Sequence, residues 1–127
     1  MSGVGFSVSR PDVGKDKTLV AASGEIDLST AEAFERELTR AIEERAPNGI
    51  VVDLSRVTFM DSTALNCLVR CFEAQSRRLR SMSVVTRDPR LLILLEITRL
   101  DRILTIHPTR REALADGAAG AAVGDGR

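Results

Sequence analysis

The chain has 127 residues, of which 43% are apolar and 28% are charged, a balance typical of one folded domain and unlike that of a disordered chain. Its 18 basic residues equal its 18 acidic residues, which excludes a net positive field that would attract nucleic acid or anionic lipid. No apolar run approaches the roughly 20 residues that span a bilayer, and no apolar segment typical of a secretory signal begins the chain, so a cytoplasmic protein without membrane insertion is expected.

The first part of the chain predicts two strands and a helix. An edge strand is expected from Val4 to Ser9, and a second strand is expected to begin with Leu19 to Ala22 and to run into the segment GEIDLST. The GEIDLST segment that follows places Ser29 and Glu32 at the S-x-x-E spacing of a capping box, and apolar residues then recur at helical spacing. We therefore expect a helix from about Thr30 to Arg45.

The middle of the chain predicts a buried strand and a second helix. The apolar run from Ile50 to Leu54 is typical of a strand buried on both faces, which places it at the centre of a sheet. After a short connection, a helix is expected from Asp61 to about Arg80. Its expected buried stripe consists of Leu65, Leu68, Val69, Phe72 and Leu79.

The last part of the chain continues the alternation of strands and helices. A strand is expected from Met82 to Thr86, and Asp88 with Pro89 forms a suitable cap and first turn for a third helix. Further on, we expect a strand from Ile103 to Ile106 and a helix from Thr109 to Ala115. The third helix, LLILLEI, is apolar nearly all round, so it either lies deep or exposes part of its apolar surface. The candidates for exposure are Leu92, Ile93 and Ile97.

This alternation predicts an α/β fold, because parallel strands need crossover connections and helices usually supply them. We expect one domain over residues 4–116, with a mixed, mostly parallel sheet of about five strands and about four helices. The segment 117–127 is rich in glycine and alanine and carries too little apolar bulk to pack, so it is expected to be a flexible tail.

The segment VDLSRVTFMDSTALNCL contains the residues of greatest chemical interest. In it, a buried strand and a short connection lead into Asp61, Ser62 and Thr63 at a helix start. Since Ser, Thr and Asp are common helix caps, composition alone favours capping over a functional role for Ser62. Asp27 is open to two interpretations, as a turn residue or as part of a functional face. Asp53 fits a turn or capping role better.

A family resemblance adds to this reading. GEIDLSTA at Gly24 to Ala31, followed by VVDLSRVTFMDSTAL at Val51 to Leu65, resembles a STAS domain, and the similarity spans about Thr18 to Ala115. The LEITRLDRI segment also resembles the third helix of that family and the turn beyond it. STAS domains include bacterial anti-anti-sigma factors, in which a phosphorylatable serine directly follows an aspartate. The resemblance therefore implies that Ser62 is phosphorylated and that Asp61 adjoins it.

The resemblance also implies a set of partners. The unphosphorylated protein would bind an anti-sigma factor, commonly itself a serine kinase, and would so release a sigma factor. Phosphorylation would end the interaction, and a serine phosphatase would restore it. A phosphate at a helix start would meet free backbone N–H groups, so the domain itself should stay folded. The residues implied to contact the partner are Asp27, Asp61, Ser62, Thr63, Asn66 and Leu92.

The chain departs from the family at three positions where members often have glycine, namely Ala64, Asn66 and Arg99. These departures imply a stiffer loop and a bulkier partner surface. STAS domains also build stress-signalling scaffolds and serve transport machines. A scaffold or accessory subunit without a phospho-switch is therefore the alternative function.

No catalytic or metal centre is expected. The sole histidine, His107, is remote from Ser62 in the sequence, and no G-x-S-x-G motif surrounds that serine. Cys67 and Cys71, four residues apart on a helix, are too distant for a disulfide and too few for a zinc site. Both are predicted to face away from the buried stripe, with at least one open to thiol reagents. We therefore expect a protein without enzymatic activity and without a cofactor.

Overall fold

Five strands form one mixed sheet in the computed structural model, which describes residues 5–116. The strands are β1 (Ser7–Ser9), β2 (Thr18–Ile26), β3 (Ile50–Met60), β4 (Met82–Val85) and β5 (Thr105–His107). They lie in the order β1-β2-β3-β4-β5, with β1 antiparallel to β2 and the other neighbours parallel. This sheet confirms the predicted α/β class. Val4 and the predicted tail at 117–127 lie outside the described residues.

Helices cover both faces of the sheet. They are α1 (Ala31–Glu44), α2 (Ser62–Arg77), α3 (Pro89–Ile97) and α4 (Arg110–Ala115), and a 3-10 turn, Leu100–Arg102, follows α3. The larger apolar layer lies between the sheet and α1, α2 and α3, whereas a smaller layer lies beneath α4. Successive strand residues show the division: Val20, Val52 and Val84 belong to the larger layer, and Leu19, Val51 and Val85 to the smaller one.

β3 is longer than the predicted run from Ile50 to Leu54, and the expected connection before Asp61 is part of the strand. The pairing of β2 with β3 shifts register twice, between Ala21 and Ser23 and again between Gly24 and Glu25. Such bulges break the alternation of inward and outward side chains. The second half of β3 therefore shows no regular period of two in the sequence.

α3 agrees with its prediction. Pro89 begins the helix, and the Asp88 side chain accepts a hydrogen bond from the backbone N–H of Arg90 at 2.9 Å. Leu91 and Leu95 are buried. The three residues proposed for exposure, Leu92, Ile93 and Ile97, are all exposed.

α2 is rotated from its predicted orientation. Its buried residues are Ala64, Leu65, Cys67, Leu68, Cys71 and Gln75. Val69 and Phe72 are only half-buried, and Leu79 lies beyond the helix. The small side chains of Ala64 and the two cysteines face inward, where cysteine behaves as a small apolar residue. Gln75 is also buried, and its amide donates a hydrogen bond to the Ser81 carbonyl at 3.0 Å, which offsets the cost of burying a polar side chain.

Leu79 combines an unfavourable backbone with an exposed side chain. Its φ is 56° and its side chain is 95% exposed. A left-handed conformation costs a residue with a Cβ about 1–2 kcal/mol, and glycine avoids this cost while losing more entropy on folding. We expect Leu79→Gly to raise the free energy of unfolding by about 1 kcal/mol in urea titration. Leu79→Ala, which keeps the Cβ, is the control. If it raised the free energy of unfolding by the same amount, the gain would come from removing the exposed leucine side chain and not from relieving backbone strain.

Candidate functional site

Two aspartates lie side by side at the carboxyl edge of the sheet. Ile26 and Met60 are paired at the ends of the parallel strands β2 and β3, and Asp27 and Asp61 directly follow them. The backbone N–H of Asp61 donates to the Ile26 carbonyl at 3.2 Å, which ties the two strand ends together. The carboxyl edge of parallel strands is a common place for binding sites.

Asp61, not Ser62, caps α2. The Asp61 Oδ1 accepts hydrogen bonds from the backbone N–H groups of Thr63 at 2.9 Å and Ala64 at 3.1 Å. Ser62 is the first helical residue and is exposed, and within residues 5–116 its side chain has no hydrogen-bond partner. The capping interpretation of Ser62 is therefore wrong. Its hydroxyl is open to solvent or to a partner.

The Asp61 cap also corrects the expected surroundings of a phosphate at this position. Two of the backbone N–H groups at the helix start already donate to Asp61, so they are not free to bind a phosphate on Ser62. Such a phosphate would directly follow Asp61, at the sheet edge that also carries Asp27. The start of α2 therefore stabilises such a phosphate less than the sequence suggested.

Asp27 forms a turn instead of preceding a capping box. Its Oδ1 accepts from the Ser29 backbone N–H at 2.9 Å and from the Ser29 hydroxyl at 2.7 Å. The hydroxyl bond holds the pKa of Asp27 below its ordinary value, against an opposing effect of burial. The predicted cap, Ser29 with Glu32, is therefore wrong. The helix begins after Thr30, whose hydroxyl accepts from the Asp27 N–H at 2.9 Å and donates to the Glu25 carbonyl at 2.9 Å.

The remaining predicted contact residues lie at different places. Thr63 is half-buried in the first turn of α2, and Asn66 is exposed one turn after Ser62 on the same side of the helix. Leu92 lies on α3, and the strand before that helix stops pairing with β3 at Asp53, well before Met60. The structure thus joins Asp27, Asp61 and Ser62 in one site and leaves Leu92 on a separate helix.

Two exposed apolar residues that are close to Asp27 and Asp61 in the sequence were not predicted. Leu28 follows Asp27 inside its turn and is 78% exposed, and Phe59 precedes Met60 and is 48% exposed. Phe59 pairs with Glu25 across β2 and β3. Because the two bulges interrupt the alternation of side chains along β3, the sequence pattern did not indicate that Phe59 faces outward. A leucine inside an aspartate turn was the one signal that could have indicated Leu28.

Cys67 and Cys71 are both buried, so the predicted outward orientation of the two cysteines is wrong. The Cys67 sulfur lies 3.9 Å from Glu35 Oε1 on α1, which also accepts a hydrogen bond from Arg70 at 2.8 Å. Burial raises the pKa of Cys67, with a further contribution from the Glu35 charge. Burial alone raises the pKa of Cys71 to about 12.

These surroundings contradict the prediction that at least one thiol is open to reagents in the folded protein. Because the thiolate is the reactive form, we expect neither cysteine to react with an aromatic disulfide reagent at neutral pH in the folded protein. Both should react once guanidinium unfolds the chain, which absorbance would follow. Rapid reaction of one thiol without denaturant would show that the contact between α1 and α2 opens.

Other polar groups have structural roles. Asp53 is buried, and its carboxylate accepts from Arg110 Nε at 2.8 Å and from the Ser55 N–H at 2.9 Å, which joins β3 to α4. Burial raises the pKa of Asp53, but the hydrogen bonds from Ser55 and Arg110 outweigh it and leave the pKa below its ordinary value. His107 lies on β5, and its Nε2 is 3.1 Å from a carboxylate oxygen of Asp116, which follows α4.

Neither a metal cluster nor a spanning helix is found in the part of the chain that the structure describes. Among residues 5–116, no group of three or more His, Cys, Asp or Glu side chains is placed to hold a metal ion. No helix in that range has the length and apolar character needed to cross a membrane.

The sheet order and the serine at the start of α2 define a small α/β domain with a polar site at one sheet edge. A family model described as the STAS domain matches residues 9–113. The chain therefore belongs to the STAS domain family.

Similar proteins carry related names. An anti-sigma F factor antagonist of Paenibacillus polymyxa is 28% identical over 98 residues, covering 77% of this chain and 84% of that protein. An anti-sigma-B factor antagonist of Listeria monocytogenes is 33% identical over 96 residues, covering 73% and 81%. The crystal structure of an anti-sigma factor antagonist from Mycobacterium paratuberculosis matches with a TM-score of 0.78 and 30% identity, covering 86% of this chain and 91% of that one.

Proposed function

We propose that this chain is an anti-sigma factor antagonist whose binding is switched off by phosphorylation of Ser62. Unphosphorylated, it binds an anti-sigma factor and so frees a sigma factor for transcription, without catalysing a reaction itself. The observation that carries the proposal is the exposed Ser62, which directly follows the Asp61 cap at the sheet edge where Asp27 also lies. The STAS family membership and the names of the relatives support it.

The site suits a protein interface because its backbone is held in place. The turn at Asp27, the cap at Asp61 and the bond from Asp61 to Ile26 fix the positions of both carboxylates and of Ser62. A surface that is ordered before binding loses less entropy when a partner docks. Asn66, one turn along α2, extends the same exposed surface.

A phosphate on Ser62 acts on the interface more than on the fold. If the partner is the kinase, the group that faces Ser62 is the phosphate chain of its nucleotide. Against one negative charge at about 6 Å, two added charges cost roughly 1.4 kcal/mol in water and about 5 kcal/mol at an effective dielectric constant of 20. The cost of 1.4 kcal/mol alone corresponds to about a tenfold loss of affinity.

The test is to locate the phosphate. Purified protein is incubated with Mg-ATP and each anti-sigma serine kinase of the same organism in turn, and peptide mass spectrometry maps the label. We expect one phosphate, on Ser62, and none on the Ser62→Ala variant. Thr63→Ala is the matched control and should be labelled normally, since Thr63 is half-buried. Labelling at another residue, or of none, would favour a constitutive scaffold.

The reset is tested with the labelled protein. A serine phosphatase of the same organism is expected to remove the label and to restore binding of the anti-sigma factor. Release of the phosphate without recovery of binding would separate the modification from the interaction and contradict the switch.

A further inference from the structure

A basic tip lies at the amino end of the sheet, opposite Ser62. It consists of segment 45–49, between α1 and β3, and segment 76–81, from the last turn of α2 to the start of β4. Together they contain four arginines and no acidic residue, and Arg80 joins them because its Nη1 donates to the Ala46 carbonyl at 3.0 Å. The 16 residues of α2 place the tip about 24 Å from Ser62. The tip is therefore distinct from the site at the carboxyl edge.

The arginines of the tip have no acidic partners. Arg45, Arg77 and Arg78 are exposed, and within residues 5–116 neither they nor Arg80 form a salt bridge. The chain as a whole carries no net charge. The positive field is therefore local to this end of the domain.

Acidic residues next to the tip do not cancel its charge. Glu44 is paired with Arg10, and the adjoining segment 15–17 carries two lysines against one aspartate. The exposed Glu43 and Glu73 are two carboxylates against the four arginines. An excess of positive charge remains.

Leu79 projects from the tip at a position that normally holds glycine. The N–H of Arg80 donates to the Gln75 carbonyl at 2.9 Å and the N–H of Leu79 donates to the Ser76 carbonyl at 3.0 Å, which is the helix ending in which glycine is usual. Leu79 instead has a φ of 56° with its side chain 95% exposed. Both features cost stability, so they indicate a contact outside the domain.

A second apolar and basic group lies at the same edge. Arg99, Asp101, Arg102 and Ile103 come before β5, which is the parallel neighbour of β4. Since the amino ends of parallel strands meet at one edge, this group lies beside the tip. All four residues are exposed, and Ile103 is 44% exposed. The edge thus combines several cations with two apolar side chains.

An anionic membrane fits this combination better than another macromolecule does. The headgroup layer of a bilayer accommodates a projecting leucine without a matching pocket, which an acidic protein would have to supply. Nucleic acid would neutralise the arginines but would give Leu79 no apolar contact. A planar anionic surface also repels the opposite edge of the domain, where Asp27 and Asp61 lie, and so favours one orientation.

We propose that the basic tip docks this domain on an anionic membrane, with Leu79 inserted among the headgroups and Arg45, Arg77 and Arg78 placed against lipid phosphates. Ile103 extends the inserted surface. In this orientation the Ser62 edge faces away from the lipid and stays accessible. The inference does not depend on the proposed function, and it adds a second interaction surface to the domain.

Vesicle binding by the full chain tests the role of the arginines. Co-sedimentation is measured with phosphatidylcholine vesicles and with vesicles in which about a third of the lipid is phosphatidylglycerol. We expect at least about tenfold tighter binding to the anionic vesicles, weakened by high salt. Arg77→Gln combined with Arg78→Gln should lower that affinity about 30-fold, at roughly fivefold for each arginine. The matched control, Arg56→Gln combined with Arg87→Gln, removes two exposed arginines from the carboxyl half of the sheet and should bind within about twofold of the wild type.

Insertion of Leu79 has a direct readout, because the chain contains no tryptophan. The fluorescence of Leu79→Trp should shift to shorter wavelength when anionic vesicles are added. That of Leu28→Trp, which replaces a 78% exposed leucine at the opposite end, should not shift. Leu79→Ser should bind about tenfold more weakly than the wild type. Circular dichroism checks that every variant remains folded.

Three results would overturn the proposal. They are no binding to anionic vesicles, equal losses in the two double-arginine variants, and an unshifted spectrum for Leu79→Trp. Binding to a DNA duplex in place of vesicles would assign the arginines to nucleic acid and would also overturn it. None of these results affects the proposed function, which is tested by phosphorylation of Ser62.

Discussion

Gly49→Ala is expected to lower the free energy of unfolding by about 3 kcal/mol, because it combines backbone strain with a collision. Gly49 has a φ of +94°, which favours glycine. A Cβ built at this position lies 2.3 Å from the carbonyl oxygen of Ser81 and 2.3 Å from its hydroxyl oxygen. The hydroxyl can rotate away, but the carbonyl belongs to the backbone.

The surrounding hydrogen bonds prevent a simple shift of either segment. The Ser81 carbonyl accepts from the Ile50 N–H at 3.1 Å, directly after Gly49. The Gly49 carbonyl accepts from Thr18 at 3.0 Å, and the Gly49 N–H donates to Ala46 at 3.0 Å. The turn at Gly49 therefore holds together the starts of β2 and β3 and the turn before β4.

Gly14→Ala is the matched control for this prediction. Gly14 has a similar φ of +101°, but a Cβ there meets nothing within 4 Å. The control should lose only the strain, about 1–2 kcal/mol, so the difference between the two variants measures the collision. Urea unfolding followed by circular dichroism gives both values. Equal losses would show that the Ser81 backbone moves aside without cost.

The order of the elements could be predicted because the signals that define it are local. The start of α3 at Asp88 and Pro89 depends on side-chain chemistry within a few residues. The strand at Ile50 to Leu54 was predicted from a continuous apolar run, which is typical of a strand buried on both faces. The rotation of α2 could not be predicted from periodicity alone. Cys67, Cys71 and Gln75 do not count as strong apolar residues in a sequence pattern, yet they form its inner face.

The site was only partly predictable for the same reason. Asp61 and Ser62 were found because their order at a helix start resembles a family motif. Which of them caps the helix depends on the extended backbone of Asp61, with φ −106° and ψ −172°. Because Asp, Ser and Thr are all common caps, their order in the sequence does not decide between them. The outward position of Phe59 depends on two register shifts between β2 and β3, which only the pairing of the strands reveals.

Ser62→Asp is expected to weaken binding of the anti-sigma factor at least tenfold, and full phosphorylation should weaken it further. Aspartate adds one charge beside Asp61 and Asp27, whereas a phosphoserine adds up to about two. The fold should tolerate either group, because an anion at the first position of a helix is mildly favourable and Ser62 is exposed. Ser62→Ala should bind like the unphosphorylated protein and should not respond to ATP.

The loss of affinity should come mainly from charge, and a neutral variant can show this. Ser62→Asn matches aspartate in size without its charge, so it is expected to bind nearly as well as the wild type in calorimetry. The difference between Ser62→Asp and Ser62→Asn should shrink as salt rises, since screening weakens charge interactions at the rim of an interface. If asparagine weakens binding as much as aspartate at every salt concentration, bulk at Ser62 blocks the partner and the electrostatic switch is wrong. If all three variants bind like the wild type, Ser62 lies outside the interface, and the binding surface must be sought elsewhere on the domain.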